Sequence, residues 1–292
     1  MKKISAAVCF LLLGACGLNT EESSTNTEAG QTQTEEESAM NNGEKEDNEE
    51  TKNAETNTET ENADKKEKQG GDNKENTGSL YEVNPADSSL DTIKKEADPK
   101  KVLLTIDDAP DTYSVDMAKT LAEKEVPAVF FVNGHFLNSE EGKKKLEKIA
   151  DLGFEIGNHT MTHANVSKLS RAELDDEIEV LNEKIEDITG ERPGFFRAPF
   201  GDNSEESKAY IKDQGMTWMN WSYGYDWNAE YQNPEALTDI MVNTELLGNG
   251  SNLLMHDREW TSEALDDIID GLREKGYGFI DPDHIKETNG AT

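Results

Sequence analysis

Seven short apolar runs punctuate the chain beyond Leu80, and their rhythm sets the strongest limit on the fold. They are Val102–Ile106, Val126–Val132, Phe154–Ile156, Gly194–Phe196, Met216–Trp221, Ser251–Met255 and Tyr277–Ile280. Several of the stretches between them carry helix signatures. Ser170-Arg171-Ala172-Glu173 is a capping box. Leu174, Ile178, Leu181, Ile185 and Ile188 then follow at spacings of four and three, which puts them on one helical stripe closed by Gly190. Pro234 suits the first turn of another helix, and Ala264, Leu265, Ile268, Ile269 and Leu272 mark a last one ending before Gly276. Gly142 to Ile149 carries a weaker helical pattern. Repeated alternation of this kind implies an α/β fold with parallel strands and helices outside. About seven βα units fit a distorted (β/α) barrel, with an open doubly wound sheet as the alternative.

The composition changes at about residue 80. Residues 80–292, roughly 200 in number, suffice for one domain with a sizeable core. Residues 17–79 hold eighteen acidic and six basic side chains and almost no large apolar one. Such a segment cannot bury enough apolar surface to offset its ordering entropy, so 16–79 reads as a disordered acidic tether. Ahead of it, two lysines precede an apolar run from Ile4 to Leu13. That run is shorter than the about 20 residues a membrane span needs and fits an export signal over 1–15. Leu13-Gly14-Ala15-Cys16 resembles the lipobox of bacterial lipoproteins. The resemblance implies that Cys16 is acylated and that the chain is anchored by lipid rather than spanning the membrane. Cleavage before Cys16 would leave no thiol for a disulfide, since Cys9 is the only other cysteine. Acidic residues outnumber basic ones 62 to 29, a net charge of −33. That balance excludes nucleic-acid binding through phosphate contacts.

In parallel α/β barrels the chemistry sits on loops after the strands. Asp107 and Asp108 follow the first run, and His159 and His163 follow the third. Arg197 follows the fourth, Asp226 and Trp227 the fifth, and His256 and Asp257 the sixth. Three of the chain's five histidines thus share one rim with several carboxylates. His135 and His284 also lie near strand ends and are expected to be structural or surface residues. Two histidines and a carboxylate suit a divalent metal with positions left open for water and substrate. His159 and His163 would meet one ion if their loop curls into a helical turn. Side chains of neighbouring strand residues point apart, so one of Asp107 and Asp108 would bind the ion while the other faces substrate. A base and a metal together make water a nucleophile near neutral pH. His256 stands where an acid would protonate the leaving atom, and Arg197 would hold an aspartate ionised. The structural readings are an Arg–Asp brace on the barrel rim and a helix-capping role for Asp257.

TIDDAP (Thr105–Pro110), HTMTH (His159–His163), RAPF (Arg197–Phe200), Asp226-Trp227 and LLMH (Leu253–His256) resemble, in order, the five motifs of the NodB-type polysaccharide deacetylases, carbohydrate esterase family four. The match covers about Lys101 to Ile280. The resemblance implies a distorted barrel with fewer than eight units that hydrolyses N-acetyl groups, or occasionally O-acetyl groups, on a polysaccharide. It implies Asp108, His159 and His163 as ligands of one divalent metal, zinc first, with cobalt, nickel or manganese as alternatives. It implies Asp107 as base and His256 as acid, with Arg197 orienting Asp107 and Asp226 tuning His256. The Phe200 backbone N–H would help bind the oxyanion, and Leu254 and Trp227 would wall the acetyl methyl.

Three departures stand out. Ala109 replaces the usual glycine and would restrict the backbone or crowd the substrate. Phe200 replaces the more frequent tyrosine. The fourth motif, WSYGYDW (Trp221–Trp227), lacks its first aspartate and is one residue short. The expected partner is an acetylated glycan, peptidoglycan first, with chitin-like chains, poly-N-acetylglucosamine and acetylated xylan as alternatives. The expected protein is a monomer, lipid-anchored on the outer face of the bacterial cell membrane. Non-catalytic glycan binding and deacetylation of a small molecule are the competing readings.

Overall fold

The computed structural model describes residues 78–287. The signal expected over 1–15, Cys16 and nearly all of the tether lie outside these residues. A short antiparallel hairpin, β1 (Tyr81–Val83) and β2 (Leu90–Thr92), comes first. Then follow β3 (Lys101–Ala109), α1 (Ser114–Glu123), β4 (Ala128–Val132), α2 (Glu140–Asp151) and β5 (Glu155–Asn158). The helices α3 (Arg171–Leu174) and α4 (Val180–Thr189) lead to β6 (Phe195–Phe196), α5 (Glu205–Asp213) and β7 (Thr217–Trp218). The last elements are α6 (Pro234–Asn243), β8 (Asn252–His256), α7 (Glu259–Glu274) and β9 (Gly278–Phe279). Among the described residues no helix is long and apolar enough to cross a membrane.

Each of the seven apolar runs coincides or overlaps with one strand of a seven-stranded, all-parallel sheet. The strand order is β7-β6-β5-β4-β3-β8, with β9 on the start of β3. This order decides between the two expected architectures. Strand β8 follows β7 in sequence yet lies beside β3, and the segment after β7 also reaches β8. The Ser222 N–H donates to Asn252 O at 2.8 Å and the Leu254 N–H to Tyr223 O at 2.9 Å. Cyclic order of this kind requires a curled sheet, a half-barrel, rather than an open doubly wound one.

Alternate strand residues sort into two cores, as the two-residue period of a strand demands. Leu104, Ile106, Phe130 and Val132 face the helices, where they meet Met117, Leu121, Ile268 and Leu272. Leu103, Val129, Phe131 and Phe195 fill the barrel interior. The hairpin closes that interior at the N-terminal ends of the strands. Its Tyr81 and Leu90 join the inner core with Ile285, and the Leu90 N–H donates to Gly250 O at 2.8 Å. With one end plugged, the opposite end is left for a site.

Three local expectations change. The stripe from Leu174 to Ile188 is not one regular helix: Asp175–Glu179 forms a π turn between α3 and α4, with the Val180 N–H bonded to Asp175 O. Asp257 does cap a helix, but α1 rather than the α7 that follows it. Its carboxylate accepts the Tyr113 and Ser114 N–H groups at 2.6 and 3.0 Å and also bonds Ser114 Oγ. Ala109 does not crowd a substrate. It is fully buried in the helix-facing core, and the left-handed backbone falls on Asp108 instead, at φ 62°.

Candidate active site

The candidate metal-ligand cluster is assembled by irregular backbone. Six non-glycine residues among those described have positive φ, and four of them are Asp108, Thr160, His163 and Phe200. Such conformations cost about 1–3 kcal/mol each and persist only where surrounding structure holds them. The β3–β4 register shifts between Ile106 and Ala109, so Asp107 and Asp108 sit at a break in the ladder. The HTMTH loop does not form the helical turn expected of it. It bends through Thr160 and His163, at φ 68° and 61°. Asn158 Oδ1 accepts the Thr160 N–H at 2.9 Å, and Thr160 Oγ1 accepts the Ala164 N–H at 3.2 Å. The π turn supplies the rest of the grip. Glu177 O accepts the Met161 N–H, and the Glu177 carboxylate accepts both the N–H and the hydroxyl of Thr162.

This bend brings one ligand atom each from Asp108, His159 and His163 within 4.8 Å of one another. His163 Nε2 lies 3.7 Å and His159 Nε2 4.0 Å from Asp108 Oδ1. His159 Nδ1 is 2.8 Å from Arg197 O. A carbonyl can only accept, so Nδ1 carries the proton and Nε2 presents its lone pair to the cluster. Burial holds the His159 pKa below the ordinary imidazole value despite the nearby Asp107 and Asp108, which favours the neutral form a ligand needs. One carboxylate and two imidazoles facing an open cavity fit a divalent ion of the zinc class.

Arg197 lies beneath the cluster, fully buried. Its Nη1 donates to Asp107 Oδ1 at 2.8 Å and Thr105 Oγ1 at 2.7 Å. Its Nη2 donates to Asn220 O at 2.9 Å and Asn252 Oδ1 at 3.2 Å. The guanidinium also sits 4.3 Å from the Phe131 ring centroid, at the top of the inner core. Such a charge is tolerable when buried because its donors are met. Asp107 is thereby fixed, with Oδ2 3.7 Å from His159 Nε2.

His256 stands across the cavity at the end of β8. Its Nδ1 is 2.7 Å from Asp226 Oδ1, which can only accept, so Nε2 is left to face the cavity. Burial opposes charge on this imidazole, but the Asp226 bond and charge, joined by Asp107 and Asp108, outweigh it and raise the pKa. Asp226 is itself anchored by Thr261 Oγ1 at 2.9 Å. The short fourth motif thus delivers Asp226 squarely. It runs tight against β8, where Tyr223 pairs with Leu253.

Nine of the ten residues singled out in the barrel line one cavity of about 420 Å³, and the tenth, Arg197, lies below it. Leu254 is in its wall, while Trp227 and Phe200 stand 46% and 68% exposed at its rim. The Trp227 ring meets His256 edge-on at 5.5 Å and the Phe200 ring meets His163 at 4.9 Å. Phe200 has φ 63°, and the bonds of its turn are donated by Gly201 and Asp202. His135 and His284 lie off the cavity, in short 3-10 turns; His135 bonds Asn133. Two lining residues escaped the sequence reading, Trp221 and Arg258. The Arg258 guanidinium donates to Asp108 Oδ2 at 2.8 Å. An adjacent HDR triplet, with His256 and Asp257 already singled out, was the available signal.

Residues 94–219 match the family model described as polysaccharide deacetylase. A peptidoglycan-N-acetylglucosamine deacetylase of Bacillus cereus is 30% identical over 190 residues, covering 62% of this chain and 66% of that one. The chain thus spans just under two thirds of that relative. A peptidoglycan-N-acetylmuramic acid deacetylase of Bacillus subtilis is 29% identical, covering 64% and 71%. Among solved structures, a mutant of a family-four pseudoenzyme of Bacillus anthracis, with restored enzymatic activity, is 31% identical with a TM-score of 0.58, covering 64% of this chain and 69% of that one. A deacetylase solved with substrate has a TM-score of 0.59 at 28% identity, covering 67% of this chain and 100% of that one. The chain belongs to the NodB-type polysaccharide deacetylases, carbohydrate esterase family four.

Proposed function

We propose that this protein removes acetyl groups from the amino sugars of an extracytoplasmic polysaccharide, with N-acetylated peptidoglycan first. One observation carries the reading: the Arg197–Asp107 pair, the Asp108–His159–His163 cluster and the Asp226–His256 pair converge on one cavity. Asp108, His159 and His163 would hold one divalent ion, zinc first and cobalt, nickel or manganese otherwise. When bound, that ion would polarise the acetyl carbonyl and acidify water. Asp107, held by the bond from Arg197, takes the proton of the attacking water. The water oxygen bonds to the carbonyl carbon, and the Phe200 N–H stabilises the oxygen that gains charge. His256 Nε2 gives its proton to the nitrogen as the C–N bond breaks, so acetate and a free amine leave. Leu254 and Trp227 enclose the methyl.

Peptidoglycan is favoured because two of the relatives carry it in their names and because the sequence places an export signal, a lipobox-like Cys16 and an acidic tether ahead of the domain. We read the protein as a lipoprotein on the outer face of the bacterial cell membrane. Metabolic labelling with palmitate, lost in Cys16→Ala, tests that part separately. Similarity to a pseudoenzyme makes glycan binding without turnover the competing reading. Acetate release decides between them. The full chain, given each divalent metal in turn, is expected to free acetate from N-acetylated peptidoglycan, with a new amine found by mass spectrometry. No release from peptidoglycan, chitin oligomers, poly-N-acetylglucosamine or acetylated xylan overturns the enzymatic reading.

A further inference from the structure

We propose that Arg258 is the positioning residue for Asp108, setting which carboxylate oxygen is offered to a metal ion. The inference rests on the metal-site reading above and adds to it. The two adjacent aspartates are each tied to a different arginine. Asp107 Oδ1 takes buried Arg197, and Asp108 Oδ2 takes Arg258 at 2.8 Å. Asp108 needs such a partner. It lies where the β3–β4 register breaks, at φ 62°, so the ladder does not fix its side chain.

The division of labour between its oxygens argues for support rather than competition. Oδ1 faces His163 and His159 at 3.7 and 4.0 Å, whereas the guanidinium bonds Oδ2. Arg258 therefore leaves the space between Oδ1 and the imidazoles open. It is itself held in place. Nη1 donates to Asp257 O at 2.9 Å, and the Asp257 carboxylate is fixed on the first turn of α1. A chain of contacts thus runs from α1 through Asp257 and Arg258 to Asp108. The guanidinium keeps its charge at every accessible pH, so its bond to Oδ2 persists. Ligating carboxylates are commonly held by outer hydrogen bonds of this type, whose loss costs about 10–100-fold in metal affinity.

The test is zinc affinity of the full chain, stripped with a chelator and titrated against a chromophoric competitor. Arg258→Met is expected to bind zinc about 10–100-fold more weakly. Arg258→Lys, which keeps the charge but not the fork, is expected to fall between Met and wild type. The side chain is 37% exposed, so the metal-free Arg258→Met protein is expected to melt with the metal-free wild type. If it melts earlier, the Lys variant alone decides. Wild-type or tighter zinc binding in the deciding variant overturns the proposal, tighter binding meaning that Arg258 competes with the ion. His163→Ala separates the two readings. If it keeps wild-type affinity, the metal site itself is misplaced. If it loses zinc while Arg258→Met does not, only the role of Arg258 falls.

Discussion

The Asp226 carboxylate holds His256 twice: Oδ1 meets the imidazole Nδ1 at 2.7 Å, and Oδ2 accepts the His256 backbone N–H at 2.6 Å. One side chain therefore fixes the orientation, tautomer and charge of the ring. In the proposed role of acid His256 must be protonated to act, and its raised pKa keeps it so above the pH at which a free imidazole loses its proton. Asp226→Asn removes the chief charge that opposes burial. The alkaline limb of the kcat/KM profile is expected to move to lower pH, with a loss on the order of 10–100-fold at alkaline pH and less in acid. The same sign governs stability. The pair supports the fold fully below the ordinary imidazole pKa, and that support is lost as pH rises through the raised one. An unmoved alkaline limb would remove His256 as the titrating acid.

Arg197 is expected to be the costliest single residue of the site to remove. It is the largest fully buried side chain among the described residues and donates to four groups, on β3, on β8 and on the segment after β7. Arg197→Met leaves Asp107 buried without its cation, a change worth about 3–5 kcal/mol. Chemical denaturation of the stripped protein measures it. Asp107→Asn keeps a hydrogen-bonding oxygen and is expected to abolish turnover at a smaller cost in stability. Equal, small costs for both would mean that the pair lies in water rather than in the core.

The strands were legible because parallel strands covered on both sides are continuous apolar runs, and β4 is buried at every position. The hairpin β1–β2 was not, since Tyr81 and Leu90 are its only two buried anchors in the strands and its partner Ile285 is far along the chain. Helices α1 and α5 bury few apolar side chains and were missed for the same reason. In the site, residues announced by strand ends were found. Some partners set by pairing across the fold were not: Arg258 reaches Asp108 over 150 positions, and Asp257, read as a helix cap, caps α1 across 143. The bend of HTMTH was misjudged because its grip comes from Glu177 in a π turn, which no local spacing reveals.

That grip is testable. Glu177 accepts the Thr162 N–H at 2.8 Å and its hydroxyl at 2.6 Å, one residue before His163. These bonds are exposed, each worth about 0.5–1.5 kcal/mol. Glu177→Ala is expected to free the loop and weaken zinc binding by about tenfold, with little change in the melting of the metal-free protein. Unchanged zinc affinity would show that the backbone bond from Met161 to Glu177 O holds His163 unaided.

At Gly224 the fourth motif passes too close to β8 for any residue but glycine. A methyl group on Gly224 would stand 2.5 Å from Leu254 O, 2.9 Å from Leu254 Cβ and 2.8 Å from Trp227 Cζ3. The carbonyl belongs to a strand paired along its length with β3, so it cannot yield. The segment carrying Tyr223 to Trp227 must move instead, and it brings Asp226 to His256 and Trp227 to the rim. Overpacking of this kind costs about 1–3 kcal/mol. Gly224→Ala is therefore expected to lower the melting temperature and to reduce kcat/KM toward the Asp226→Asn level. Its zinc affinity should stay near wild type, because Asp108, His159 and His163 lie on other loops. Wild-type kcat/KM in Gly224→Ala would mean that this segment accommodates the methyl without displacing Asp226. Lost zinc binding would mean that the two halves of the site are not independent.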